Sequence, residues 1–283
     1  MQKKRRTAKK MNPILYWIIM AFLILVIVGC GASIAHKFIV DAQQQALIDD
    51  LLATMPSVQR PDIPTGDVTV PPVDTTPDDD DPVKPRPVYP ESEILYEYRA
   101  LYKLNNDMVG FIEIPGTKIR YPVLQTPAYA NYYLYRNFYR ESADCGSIYV
   151  REACNVNEPS DNVTIYGHRM INGSMFSDLH KYKDESFWEA NRYIYFDTLT
   201  EYHTYEIFAV FQTEANRVDS FNYHLFDDAK DQADFDQFVN TCKLLSYYDT
   251  GITPVYGEKL ITLSTCDRSI EDGRLVVVAR RVL

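Results

Sequence analysis

Two residue types that can work together on a carbonyl stand at either end of one short connection. Cys266 closes the apolar run Ile261-Thr262-Leu263-Ser264-Thr265-Cys266-Asp267, and Arg274 opens the next run, Arg274-Leu275-Val276-Val277-Val278. Each run alternates and β-branches like a strand, with Asp267 to Gly273 as the link. Antiparallel neighbours of this kind bring thiol and guanidinium face to face at the mouth of the turn. A thiol becomes a nucleophile when nearby positive charge favours its thiolate, so the pattern proposes covalent thiol chemistry. Strand parity puts Leu260, Thr262, Ser264 and Cys266 on one face and Ile261, Leu263 and Thr265 on the other. Plain alternatives stay open at this point: a buried small side chain for Cys266, and a surface charge for Arg274.

Attack on an amide also needs a proton donor for the leaving amine, and histidine suits that role near neutral pH. His168 ends the run Val163-Thr164-Ile165-Tyr166-Gly167-His168, where a glycine releases the chain at a strand end. Loops after strands are favoured places for catalytic groups, so His168 ranks ahead of His36, His180, His203 and His224.

Eight strand-like segments must position these groups: 109–114, 119–124, 147–150, 163–166, 193–197, 202–212, 259–266 and 274–282. Helical patterns occupy Glu93 to Asn105, Met175 to Tyr182, Glu185 to Ala190 and Ala229 to Leu245. Many short strands with few helices predict a mainly β fold, a closed or nearly closed barrel. Four domains are expected: a basic cytoplasmic tail (1–13), a transmembrane anchor (14–35), a Pro/Asp-rich extracellular spacer (36–90) and a catalytic body (91–283).

The anchor rests on Ile14 to Ala35, 22 residues without a charge. As a helix they are long enough for a hydrocarbon core of ~30 Å. Lys3, Lys4, Arg5, Arg6, Lys9 and Lys10 flank it and predict a cytoplasmic N-terminus with the body outside. Ile27-Val28-Gly29-Cys30 loosely matches a lipoprotein processing site, and Ser33-Ile34-Ala35 a signal-peptidase site. The apolar run exceeds a usual signal core, which favours the retained anchor. The spacer holds ten of the sixteen prolines between Pro56 and Pro90, and an acidic run at Asp78 to Asp81. It has too few large apolar residues to fold. The whole chain carries −10, and the six basic residues before position 13 leave −16 for the remainder. An acidic body excludes the nucleic-acid backbone as a partner. Of Cys30, Cys145, Cys154, Cys242 and Cys266, none forms a C-x-x-C pair, which argues against a structural zinc site. Cys145 and Cys154 bracket a strand that should hold them apart, and Cys266 is left as a lone thiol.

Thr262-Leu263-Ser264-Thr265-Cys266, Arg274-Leu275-Val276-Val277-Val278 and Tyr166-Gly167-His168 together resemble a sortase of class B. The likeness extends through Asn131-Tyr132-Tyr133-Leu134, Asn137-Phe138, Gly146-Ser147-Ile148 and Met175-Phe176. Class B is suggested by a helix before the barrel, a helix-bearing insertion after Gln212 and an end at the last strand.

The resemblance implies a closed sortase barrel with an N-terminal helix and a helix inserted between late strands. It implies a cysteine transpeptidase of the Gram-positive surface, anchored in the membrane, that needs neither cofactor nor metal. Its partners would be secreted proteins with a C-terminal sorting signal, cleaved after a threonine, and a cell-wall peptide amine that resolves the thioacyl-enzyme. Cys266 would be the nucleophile, His168 the general acid/base and Arg274 the oxyanion partner, with Leu134, Ser264 and Thr265 as substrate contacts. Thr213 to Leu225 should border the substrate groove and departs from the family pattern. The rivals are a thiol protease, a pilus-assembling sortase and a non-enzymatic anchored binding module.

Overall fold

A computed structural model describes residues 12–58, 60–61, 89–215 and 219–283. The basic tail before residue 12, most of the proposed spacer (62–88) and residues 216–218 lie outside the described residues. The chain divides into two compact units, Met1–Gln43 and Gln44–Leu283.

The first unit is dominated by helix α1 (Pro13–Ala53), which continues past its boundary. It contains an apolar window long enough to cross a membrane, with exposed side chains such as Trp17, Phe22 and Leu25. The helix is longer than the 22-residue run read from the sequence, because residues 36–53 keep a helical pattern after the apolar stretch ends.

The second unit is a closed eight-stranded barrel. Its strands are β1 (Met108–Glu113), β2 (Arg120–Leu124), β3 (Ile148–Val150), β4 (Asn162–Tyr166), β5 (Tyr193–Thr198), β6 (Thr204–Glu214), β7 (Leu260–Asp267) and β8 (Gly273–Arg281). All eight strand-like segments of the sequence are present, and the order around the barrel is β1-β2-β3-β4-β7-β8-β6-β5, closed by pairing of β1 with β5. The β2–β3 and β4–β7 pairs are parallel and the others antiparallel. Among the described residues, closure leaves no unpaired strand edge to recruit other chains.

Both faces of the late strands are buried, but against different partners. Ile261, Leu263, Val277 and Ala279 belong to the main core. Leu260, Val276 and Val278 point the other way, towards α4 (Gln232–Leu245), which follows α3 (Glu185–Ala190) in the chain. That helix presents Phe235, Phe238, Val239 and Cys242, an i, i+3, i+4, i+7 stripe, and its first turn is capped by Asp231 accepting from the Asp234 N–H at 2.9 Å. The alternation expected for β7 is thus realised, and the helix between late strands is present.

The segment before the barrel departs from a continuous helix over 93–105. It forms a 3-10 turn at Tyr96–Tyr98 and then α2 (Arg99–Leu104), which bury Tyr98 and Leu101. The compact unit also starts well before residue 91, since Ile48 and Leu51 join its core and Arg60 ion-pairs with Asp197. Ile48, Leu51 and Leu52, at i, i+3 and i+4, are the sequence trace of that docking.

Candidate active site

The β4–β7 ladder sets the site. Leu260 N–H donates to Asp161 C=O at 2.7 Å, and Gly167 N–H donates to Ser264 C=O at 3.1 Å. Even-numbered residues of β7 therefore turn their peptide groups towards β4, and the odd ones towards β8. Cys266 is the register partner of Arg274 across β7–β8. It follows that they form a non-hydrogen-bonded antiparallel pair, in which Cα atoms approach to ~4.5 Å and side chains lie closest. Both project from the outer barrel face, on the side of Val276 and Val278. The Arg274 guanidinium is steadied by donating to Gly273 C=O at 3.0 Å and Asp272 C=O at 3.3 Å.

His168 reaches the thiol because β4 ends at Tyr166 and Gly167 lets the chain turn. A Cβ at 167 would lie 2.5 Å from Ile148 Cδ1 and 2.6 Å from Phe176 Cγ, so any larger residue would displace the turn. Beyond it, the His168 C=O accepts from Phe176 N–H at 3.0 Å. His168 Nε2 lies 2.7 Å from Leu134 C=O, which assigns the ring proton to Nε2 and leaves Nδ1 for the sulfur. Leu134 is itself fixed within a 3-10 turn, Tyr132–Tyr135, whose buried Tyr133 donates to Asp107 at 2.7 Å.

The electrostatics favour charge separation. The hydrogen bond to His168 pulls the Cys266 thiol below its ordinary pKa against the opposing effect of burial, with help from the positive charges of Arg274 and Arg268. The same bond raises His168 above the usual histidine range, burial again opposing, with support from the Leu134 carbonyl. Both shifts move the pair towards thiolate and imidazolium.

The structure thus brings Cys266, His168, Arg274 and the Leu134 carbonyl together. Ser264 shares the outer face but is 2% exposed, and its hydroxyl is hydrogen-bonded to Tyr223 at 2.7 Å rather than open to a groove. Thr265 points to the opposite face, also buried, and its hydroxyl oxygen has no protein partner. Two neighbours escaped the sequence reading. Tyr135 places its ring 5.5 Å from the His168 imidazole, and Tyr223 caps Ser264. Tyr135 adjoins Leu134 in sequence, whereas nothing local marks Tyr223 among its aromatic neighbours. Of the expected groove border, Thr213 and residues 219–222, with Phe226 and Phe238, line a cleft of about 860 Å³ under α4. His203 pairs with Glu201 at 3.1 Å and has no link to the thiol. Cys154, Cys242 and Cys266 carry free thiols.

Comparison with known proteins agrees with this fold. The sortase domain model matches residues 112–282. Sortase B of Listeria monocytogenes is 39% identical over 194 residues, covering 67% of this chain and 76% of the relative. Sortase B of Staphylococcus aureus is 31% identical, covering 65% of this chain and 74% of the relative. Among solved structures, a Staphylococcus aureus sortase B–substrate complex superposes with a TM-score of 0.60 at 29% identity, covering 68% of this chain and 87% of that one. The thiol–guanidinium pair at the β7–β8 mouth therefore sits in a chain that belongs to the sortase family of cysteine transpeptidases, in class B.

Proposed function

We propose that this chain is a membrane-anchored transpeptidase that cleaves the C-terminal sorting signal of secreted proteins after a threonine and joins them to a cell-wall peptide amine. The observation that carries this reading is the convergence of Cys266, His168 and Arg274 on one face at one strand end.

In the first half-reaction the Cys266 thiolate attacks the threonine carbonyl, and Arg274 compensates the charge that develops on its oxygen. The His168 imidazolium gives its proton to the departing amine as the C–N bond breaks, leaving a thioester on Cys266. In the second half-reaction an acceptor amine attacks the thioester, neutral His168 takes a proton from it, and Cys266 leaves as thiolate. The thioester conserves acyl activation, so these steps run without nucleotide or metal. Leu134, beside His168, is the substrate contact this reading retains; Ser264 and Thr265 act from beneath the surface.

The cellular setting is part of the proposal. The apolar part of α1 spans the membrane of a Gram-positive cell with residues 1–13 in the cytoplasm, and the barrel works outside. Incubating the detergent-solubilised chain with sorting peptides and an amine should give a ligated product by mass spectrometry. Cleavage without ligation under every acceptor would assign a thiol hydrolase instead. A membrane-impermeant thiol reagent that fails to reach Cys266 on intact cells would reverse the orientation.

A further inference from the structure

Where β4 stops, the backbone of β7 needs a new partner at the residue that carries the thiol. The last rung between the two strands is Gly167 N–H to Ser264 C=O at 3.1 Å. One step further, the Cys266 C=O points to the same edge, but the chain of β4 has already turned away to lift His168 over the sulfur. His180 takes that place: its Nε2 lies 3.2 Å from the Cys266 oxygen.

The element that delivers His180 is built for this contact. His180 lies on the 3-10 helix Ser177–Lys183. Three residues per turn eclipse i and i+3, so His180 and Lys183 face β7 together. Lys183 ion-pairs with Asp267, the residue after the nucleophile, whose side chain is 1% exposed. Two successive residues of β7 are therefore held by two successive turns of one helix. The helix itself is fixed by buried Leu179 and Tyr182, and Tyr248 donates to the Tyr182 C=O at 2.8 Å. Burial depresses the basicity of His180; the Cys266 carbonyl and Asp267 oppose that, while Arg169 and Lys183 reinforce it. The net effect favours a neutral ring, which donates through Nε2–H.

We propose that His180 is a positioning residue for the transpeptidation: its Nε2–H replaces the missing ladder rung at Cys266 and fixes the direction in which the thiol projects towards His168 and Arg274. The proposal rests on Cys266 being the nucleophile. A carbonyl held on one side only would let the strand end rotate, and small misplacements of a reacting atom carry large rate costs.

The test uses the full chain in detergent. Glutamine at 180 can place an N–H donor near the position of Nε2, whereas asparagine is too short and leucine has no donor. His180→Leu and His180→Asn should each lower kcat about tenfold, the scale of losing one hydrogen bond to a group that must stay oriented, with KM for the sorting peptide unchanged. His180→Gln should recover most of the rate. Iodoacetamide alkylation of Cys266, read by mass spectrometry, should follow the same order without any substrate. Should His180→Leu fail to fold, the Gln and Asn variants decide. Equal kcat and equal alkylation in those two, or a change in KM alone, would overturn the proposal. Full activity in Cys266→Ala would instead overturn the catalytic reading on which it stands, so the two failures are distinguishable.

Discussion

His168 and Leu134 are joined by a 2.7 Å hydrogen bond from imidazole Nε2 to the main-chain carbonyl, and this bond decides which nitrogen meets the thiol. Because the acceptor is a backbone atom, a side-chain change at 134 cannot delete it; the imidazole is oriented by the fold of the Tyr132–Tyr135 turn. The pH dependence follows. The Cys266 pKa is lowered chiefly by its bond to His168, and that of His168 is raised chiefly by the same bond. The thiolate–imidazolium form therefore appears as pH rises through the depressed thiol pKa and is lost as pH rises through the raised histidine pKa. Alkylation of Cys266 should begin below the pH of an ordinary thiol, and in His168→Ala its onset should move upward. An unchanged profile in that variant would show that the two groups are not coupled.

Arg274 should matter more to rate than to stability. Its guanidinium is partly exposed and bonds only main-chain oxygens of its own loop, Asp272 and Gly273, among the contacts described. Loss of a donor aimed at a developing oxyanion typically costs ~10²–10³ in kcat. Arg274→Ala should show that loss with a melting temperature close to the parent. Lysine should restore the charge but only part of the rate, since it lacks the planar fork. A large fall in melting temperature would mean that the side chain is structural.

Gly167 is needed for space. Its φ is not in the left-handed region, yet a Cβ would sit 2.5 Å from Ile148 Cδ1 and 2.6 Å from Phe176 Cγ. Gly167→Ala should destabilise by about 1–3 kcal/mol through overpacking and also reduce activity, because the displaced residue directly precedes His168. Denaturant melts and peptide turnover on the same samples would separate the two effects. A stable and fully active variant would show that Phe176 can give way at no cost.

Asp267 links the site to acid stability. Burial opposes its ionisation, but the bond to Lys183 and those from the Ser269 N–H and hydroxyl prevail and hold it at about 2. A carboxyl depressed on folding stabilises the native state above its unfolded pKa of ~3.9 and loses that contribution as pH falls through the folded value. Asp267→Asn should therefore cost about 2 kcal/mol at neutral pH, and the gap from the parent should close between about pH 4 and pH 2. A gap independent of pH would assign the loss to packing.

The strands and the placement of Cys266, His168 and Arg274 were legible because both are written locally. Alternation in Ile261 to Cys266 gave the face of the thiol, and Gly167 before His168 marked the chain leaving the sheet. What stayed hidden depends on residues far apart in sequence. Ser264 has the correct parity for a groove, but Tyr223, 41 residues away, covers it. His180 ranked behind His168 because its partner, the Cys266 carbonyl beyond the end of β4, is 86 residues away in sequence. The start of the compact unit was missed for a related reason. The proline-rich stretch suggested that order begins after it, whereas Ile48 and Leu51 before it already belong to the core.

That early start has an energetic signature at Asp197. The carboxylate, with a fully buried side chain, accepts from the Tyr98 hydroxyl on one oxygen, while its other oxygen is ion-paired with Arg60 and also receives the His203 N–H at 3.2 Å. Burial raises its pKa, and the bonds from Arg60, Tyr98 and His203 counter that effect. Arg60 also lies over the Tyr195 ring at 4.3 Å and within 3.8 Å of Glu113. Removing one partner from a buried pair leaves the other charge poorly compensated, a change that typically costs 3–5 kcal/mol. Arg60→Ala should accordingly lower stability by about 3 kcal/mol, whereas replacing Lys103, whose partner Glu91 is exposed, should leave it within about 0.5 kcal/mol. The same reasoning predicts that a chain beginning at residue 91 melts well below one beginning at Gln44, since it loses Ile48, Leu51 and Arg60 together. Equal melting temperatures for the two would show that the barrel does not draw on residues 44–61.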